Sequence, residues 1–212
     1  MDILVKISEF LQQGNHEKIS QLTNTAISEK ISPKEILENG LIAGMNIVGD
    51  RFKKHEIFLP EVLLAAKAMH AGMELLKPLL IKEGIPSIGR VVLGTVQGDL
   101  HDIGKNLVGI MLKGAGFEVI DLGKGVSPEK FIEVAQKEEA SIIGMSALLT
   151  TTMPVMKEVV NLLKEKELDG SIKTIIGGAP VSEEYARQIG ADAYAYDAAK
   201  AVETVKLLTE VN

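Results

Sequence analysis

From Arg90 onward the chain alternates short apolar runs with amphipathic helical stretches, and few folds satisfy that pattern. Residues 91–96, 117–122, 141–145, 174–176 and 193–196 read as strands. The helices between them start near Ile103, Pro128, Met153 and Val181, and the last follows Asp197. Ser127-Pro128 and Asp197 are favourable helix openings, because a side-chain oxygen there can accept an otherwise unpaired main-chain N–H. A helix after every strand returns the chain to the same edge each time. The strands therefore run parallel, with helices on both faces.

Five such units fit a flavodoxin-like strand order, whose ligand crevice lies at the carboxyl ends of the first and third strands. The first 83 residues differ: they carry helical periodicity and little strand character. Ile3, Leu4, Ile7, Phe10 and Leu11 form one apolar face, ended by Gly14-Asn15. Ile19, Leu22, Ala26 and Ile27 form a second. Ser32-Pro33-Lys34-Glu35 reads as a capping box opening a third helix, with Ile36, Leu37, Leu41, Met45 and Val48 along one side. Pro60 opens a fourth, with Val62, Leu63, Ala66, Met69 and Met73 expected to face inward. The reading is an α/β chain: an N-terminal four-helix bundle over residues 1–83, a Gly/Pro-containing linker at 84–89, and a five-stranded parallel sheet domain over 90–212.

Composition narrows the function. A net charge of −6 disfavours nucleic-acid and anionic-membrane partners, both of which call for a basic face. The chain has no Cys, which excludes disulfides and thiolate metal sites. No apolar run approaches the roughly 18 residues of a membrane span, and Met1-Asp2-Ile3 opens with an acid, so a cytoplasmic location is expected.

The richest local signal is Gly98-Asp99-Leu100-His101-Asp102-Ile103-Gly104-Lys105-Asn106, in the loop after the first strand. Asp99 stands two residues before His101, where it can orient the imidazole and leave a neutral ring nitrogen for a metal. A lone histidine in such a loop also suits a capping or packing role. Asp102 suits the N-cap of the helix starting at Ile103. Ser146-Ala147-Leu148 follows the third strand and Gly177-Gly178 ends the fourth, so the motifs converge on the crevice. A phosphate loop is absent, since no Gly-x-x-x-x-Gly-Lys-[Ser/Thr] occurs and Gly98 to Gly104 lacks dinucleotide spacing.

In this order, Asp-x-His-x-x-Gly, Ser146-Ala147-Leu148 and Gly177-Gly178 resemble the signature of corrinoid methyl-carrier proteins from methanol, methylamine and O-demethylase methyltransferase systems. They are also similar to the cap and cobalamin-binding domains of cobalamin-dependent methionine synthase. Residues 40–78 resemble the helical cap of that family, so the likeness covers nearly the whole chain. It implies a cobalamin or related corrinoid cofactor, with His101 as the lower cobalt ligand and Asp99 and a hydroxyl residue, here Thr152, as a proton relay behind it. A methylated cobalt prefers axial ligands and a cobalt(I) nucleophile none, so His101 is expected to bind and release. Leu100, Asp102, Ile103 and Gly104 would touch the cofactor beside His101. Ser146, Leu148, Thr150, Gly177 and Gly178 would line the pocket for its nucleotide tail, although Gly177-Gly178 alone is also an ordinary turn. Met45 to Phe52 and Phe58 to Val62 resemble the cap, in which Phe52, Leu59 and Val62 would shield the upper corrin face. Their alternative is plain bundle core, which is also the expectation for Met45, Met69 and Met73.

The expected function is therefore a methyl carrier between a substrate:corrinoid methyltransferase and a corrinoid:acceptor methyltransferase, with a reductive activation protein as a further partner. The donor would be methanol, a methylamine or a methoxylated aromatic; the acceptor, a thiol or tetrahydrofolate. The linker would act as hinge for the cap. A cobalamin-responsive sensor module and the cobalamin-binding subunit of a mutase share the His loop and remain the alternatives. The acidic charge counts against the first and the cap-like segment against the second.

Overall fold

A computed structural model describes residues 2–83 and 88–210, and the chain divides into two compact units. In the helical unit, each early helix is capped by the side chain that the sequence offers for it. Asp2 accepts the Leu4 N–H at the start of α1 (Ile3–Gln12), and Asn15 accepts the Lys18 N–H at the start of α2 (His16–Ser28). Ser32 Oγ accepts the Glu35 N–H at 3.1 Å to open α3 (Pro33–Glu35).

The expected third helix then departs from simple α geometry. Ile36–Ile42 is π-helical before α4 (Ala43–Lys53) begins, and the Ala43 N–H reaches back five residues to the Glu38 carbonyl. Such a turn widens the helix and shifts its side-chain phase. Ile36, Leu37, Leu41, Met45 and Val48 are all buried along it. Gly44 allows α1 to come close, since a Cβ there would stand 2.9 Å from the Ser8 carbonyl oxygen.

Helix α5 (Leu59–Lys82) starts one residue before Pro60, and the Glu61 carboxylate accepts the Phe58 N–H at 3.2 Å. One inward expectation fails: Leu63 is 41% exposed, and Ala66 and Met73 are only half-buried. The buried face instead runs through Val62, Ala65, Ala68, Met69, Gly72 and Leu76. Its phase is set by small residues. A Cβ at Gly72 would lie 2.8 Å from a Leu41 methyl and 3.1 Å from Ile19 Cγ2, so the neighbours pack directly on the Ala/Gly stripe and the bulkier Leu63 turns away. Residues 84–87, the centre of the expected linker, lie outside the described residues.

The second unit alternates strand and helix throughout: β1 (Arg90–Thr95), α6 (Ile103–Gly114), β2 (Glu118–Asp121), α7 (Pro128–Lys137), β3 (Ile142–Ser146), α8 (Pro154–Glu165), β4 (Lys173–Gly177), α9 (Glu183–Ile189), β5 (Ala193–Ala195) and α10 (Ala198–Glu210). All pairs are parallel, in the order β2-β1-β3-β4-β5 expected for a flavodoxin-like sheet. The order reverses direction between β1 and β3. Thr95 of β1 pairs with Ser146 of β3, so the loops leaving these two strands lie side by side.

The two faces of the sheet are packed differently. Because successive strand residues point to opposite sides, Val92, Ile143 and Ile176 join Phe131, Met156 and Val159 in a dense core. The alternate residues Val91, Leu93, Gly144 and Ile175, with Val108, Leu112, Ala201 and Val205 from α6 and α10, line a cavity of about 620 Å³. Ala195, Ala198 and Ala201 contribute only methyl groups to this lining. The cavity volume suits a small-molecule site, for which about 300–1,000 Å³ is usual.

Candidate functional site

The loop between β1 and α6 is built around Asp99, which is fully buried. Thr95 Oγ1 donates to the His101 carbonyl at 3.0 Å and Gly98 takes a positive φ of 84°, turning the loop tightly. Asp99 Oδ1 accepts the His101 N–H at 3.0 Å and lies 2.8 Å from His101 Nδ1. Oδ2 accepts the Leu148 N–H at 2.7 Å, the Leu149 N–H at 3.1 Å and the Thr152 hydroxyl at 3.0 Å. One carboxylate therefore joins the His101 loop to the loop after β3.

The electrostatics follow from those donors. Burial by itself pushes the Asp99 carboxyl up. The N–H groups of His101 and Leu148, the imidazole and the Leu149 N–H outweigh that, holding the carboxyl well below the usual carboxylate range. An ionised carboxylate only accepts hydrogen bonds, so His101 Nδ1 carries the hydrogen and Nε2 presents its lone pair. The His101 side chain is 53% exposed and belongs to the cavity lining.

These residues fit a corrinoid. Among the described residues no cluster of three or more His, Cys, Asp or Glu side chains could hold a metal ion. A metal bound by His101 must then bring its other ligands, as a corrin does. A Cβ placed on Gly104, beside His101 in the lining, would meet no protein atom within 4 Å, so the fold itself does not require glycine there. The missing side chain leaves room for a ligand.

The structure brings most of the singled-out residues together. Leu100, His101, Asp102, Ile103, Gly104, Ser146, Leu148, Gly177 and Gly178 all line the cavity. Asp99 and Thr152 stand behind it, and Thr150 is exposed and outside the lining. In α6, the Asp102 carbonyl accepts the Asn106 N–H at 2.8 Å. Gly177 and Gly178 are also required by their own surroundings. A Cβ on Gly177 would lie 2.8 Å from the Ala195 carbonyl oxygen, and one on Gly178, at φ 129°, would overlap that of Ala147. In the helical unit, Val62 is fully buried, Phe52 half-buried and Leu59 38% exposed.

Several groups that shape this region escape a reading of side-chain patterns. The Leu148 and Leu149 amides belong to the main chain. Lys105 is 2% exposed and gives Nζ to both Asp121 oxygens at 2.6 Å and to Asn106 Oδ1 at 2.7 Å. Tyr185 donates its hydroxyl to the Met153 carbonyl at 2.8 Å, steadying the loop that holds Thr152; burial raises its phenol above the ordinary value. The sequence marks Lys105 only as a cation in a helix's first turn, where the dipole disfavours it.

Comparison with known proteins identifies the family. Residues 89–206 match the B12 binding domain family, and residues 3–77 match a second family of the same description. The chain belongs to the B12-binding corrinoid protein family. Among its relatives, the dimethylamine corrinoid protein of Methanosarcina barkeri is 48% identical over 98% of this chain and 97% of the relative. A corrinoid protein of Desulfitobacterium hafniense (strain Y51) is 43% identical over 96% of this chain and 95% of the relative. The crystal structure of the methanol:cobalamin methyltransferase complex MtaBC from Methanosarcina barkeri superposes with a TM-score of 0.86 at 30% identity, covering 99% of this chain and 80% of that one. The matched residues 89–206 include every residue that lines the cavity at the carboxyl ends of β1 and β3. Among the described residues no helix is long and apolar enough to cross a membrane.

Proposed function

We propose that this corrinoid protein is a methyl carrier serving methyltransferase partners, with His101 as the protein ligand to cobalt. When bound, the corrinoid supplies a cobalt that accepts a methyl group from one partner and yields it to another. The observation that carries the assignment is the single buried carboxylate of Asp99, held by both loops and set 2.8 Å from His101 Nδ1 at the mouth of an apolar cavity.

Each residue has a defined task. Asp99 fixes the imidazole's tautomer and orientation, raising the basicity of Nε2. Thr152, 3.0 Å from Asp99 Oδ2, and the two amides beside it stabilise the carboxylate charge. A proton gained by the imidazole would be stabilised by Asp99, 2.8 Å from Nδ1. Leu100 and Ile103, 67% and 82% exposed beside His101, offer the apolar surface a corrin face needs.

The donor methyltransferase would act on methanol, a methylamine or a methoxylated aromatic. A second methyltransferase would pass the methyl group to a thiol or tetrahydrofolate, and a reductive activation protein would restore the carrier after oxidation. The protein reconstituted with hydroxocobalamin and reduced should become methylated only when a donor methyltransferase and its substrate are both added. Failure to retain any corrinoid would refute the proposal outright.

A further inference from the structure

Lys105 stands four positions after His101, in the first turn of α6, and is buried there. Two physical costs attend that placement. Burial strips the ammonium of water, and the helix dipole disfavours a cation at this end. The ion pair it forms adds little net stability, because a well-packed apolar side chain of similar volume often serves as well. The ammonium is nevertheless held firmly. Nζ donates to both Asp121 oxygens at 2.6 Å and to Asn106 Oδ1 at 2.7 Å, which uses all three of its protons.

The consequence of the pair is geometric. Asp121 ends β2, and its Oδ1 also accepts the Gly123 N–H at 2.8 Å. The segment that follows grips the His101 loop at further points. The Gly123 carbonyl accepts the Thr95 N–H at 2.9 Å where that loop begins, and the Val126 N–H reaches the Thr95 carbonyl at 3.0 Å. Within the loop, the Asp99 carbonyl accepts the Gly125 N–H at 3.1 Å. Lys105 supplies the attachment at the exit. Entry, middle and exit of the His101 loop all return to residues 121–126. The Asp99 side chain anchors the loop upstream of His101, on the segment after β3. Among the described residues, Lys105 is the first side chain after His101 to hydrogen-bond a different element.

We propose that Lys105 is a positioning residue for His101. Through Asp121 it pins the exit of the His101 loop to the end of β2, so that Nε2 keeps one direction. This rests on the reading of His101 as the cobalt ligand. Asp99 decides which ring nitrogen is free for a metal; Lys105 decides where that nitrogen lies. A coordinating side chain must be held within about 0.5 Å of its productive position. The His101 side chain, 53% exposed, is only partly enclosed and depends on its main chain for that precision.

The test loads the full chain with methylcobalamin and, after desalting, reads its absorbance. The quantity measured is the ratio of corrinoid with a lower nitrogen ligand to corrinoid without one, and His101→Ala sets the unligated end of the scale. Lys105→Met should retain the corrinoid and lower the ratio about tenfold, the smaller loss usual for a residue that supports a metal ligand. The same variant without corrinoid should melt no lower than the wild type. Asp121→Asn keeps an oxygen for the Gly123 N–H. Adding it to Lys105→Met should lower the ratio no further, because both changes cut the same tether. An unchanged ratio in Lys105→Met, or a further loss in the double variant, would overturn the proposal. So would a ratio that falls only together with the apo melting temperature, since that marks a merely structural role. Identical spectra for the wild type and His101→Ala would instead remove the ligand reading, and the proposal with it.

Discussion

Thr152 lies 53 positions beyond Asp99, yet its hydroxyl stands 3.0 Å from Asp99 Oδ2, with the Leu148 and Leu149 amides on the same oxygen. Both residues are buried. The contact exists because β1 and β3 are neighbours in the sheet, and it makes one carboxylate the common anchor of two loops. Removing the hydroxyl alone with Thr152→Val should cost about 1 kcal/mol. Removing the carboxylate with Asp99→Ala strands several donors at once and should cost roughly 3 kcal/mol or more. Urea denaturation of the apo protein measures both; equal losses would mean that Asp99 is not the shared anchor.

The Asp99 carboxyl is held well below the usual carboxylate range, so its contribution to stability has a definite pH sign. It is fully present above the unfolded-state value of about 4 and is lost as pH falls below that. Apo-protein stability should therefore drop between about pH 4 and pH 2, and Asp99→Asn should flatten that part of the profile. A variant profile parallel to the wild type would show that other carboxyls govern the acid transition.

Lys105 and Asp121 form an asymmetric pair, the ammonium buried and the carboxylate 40% exposed. Replacing the cation with an apolar side chain of similar length, Lys105→Met, should leave stability unchanged or raise it. Asp121→Ala instead abandons a buried charge and should cost about 3 kcal/mol. Thermal melts of the two variants in parallel decide the point, and a larger loss in Lys105→Met would reverse the assignment.

Ala201 lines the cavity from α10 and is 5% exposed. Ala201→Leu extends an apolar side chain into space the protein leaves open, so the apo form should melt at the same temperature or slightly higher. Corrinoid retention after desalting should fall severalfold. Full retention would place the tail elsewhere.

In the bundle, the Thr23 hydroxyl is buried without a hydrogen-bond partner. Thr23→Val keeps the shape and removes the unsatisfied group, so it should stabilise the chain by about 1 kcal/mol. A loss of stability on chemical denaturation would mean that the hydroxyl is satisfied in solution.

Much of this architecture is legible in the sequence, because the short apolar run at residues 91–96 and the helix openings at Pro128 and Asp197 are local signals. The convergence of His101 and Ser146 was readable too, since it follows from strand order alone. Other features were not. Leu63 has the hydrophobicity of a core residue, and only the close approach permitted by Ala65, Ala68 and Gly72 turns it outward. The π-helical turn at Ile36–Ile42 buries the same apolar residues an α-helix would, so the pattern does not betray it. Val205 and Ala201 look identical whether they fill a core or line a cavity. The Leu148 and Leu149 amides carry no side-chain signature at all.

The most direct measurement is the absorbance spectrum of the purified protein after incubation with hydroxocobalamin and desalting, taken for wild type and His101→Ala. If His101 supplies the lower ligand to cobalt, the wild type retains about one equivalent of corrinoid, and the variant, with the cavity intact, shows an altered cobalt spectrum. Corrinoid retained with identical spectra in both proteins would contradict the ligand assignment.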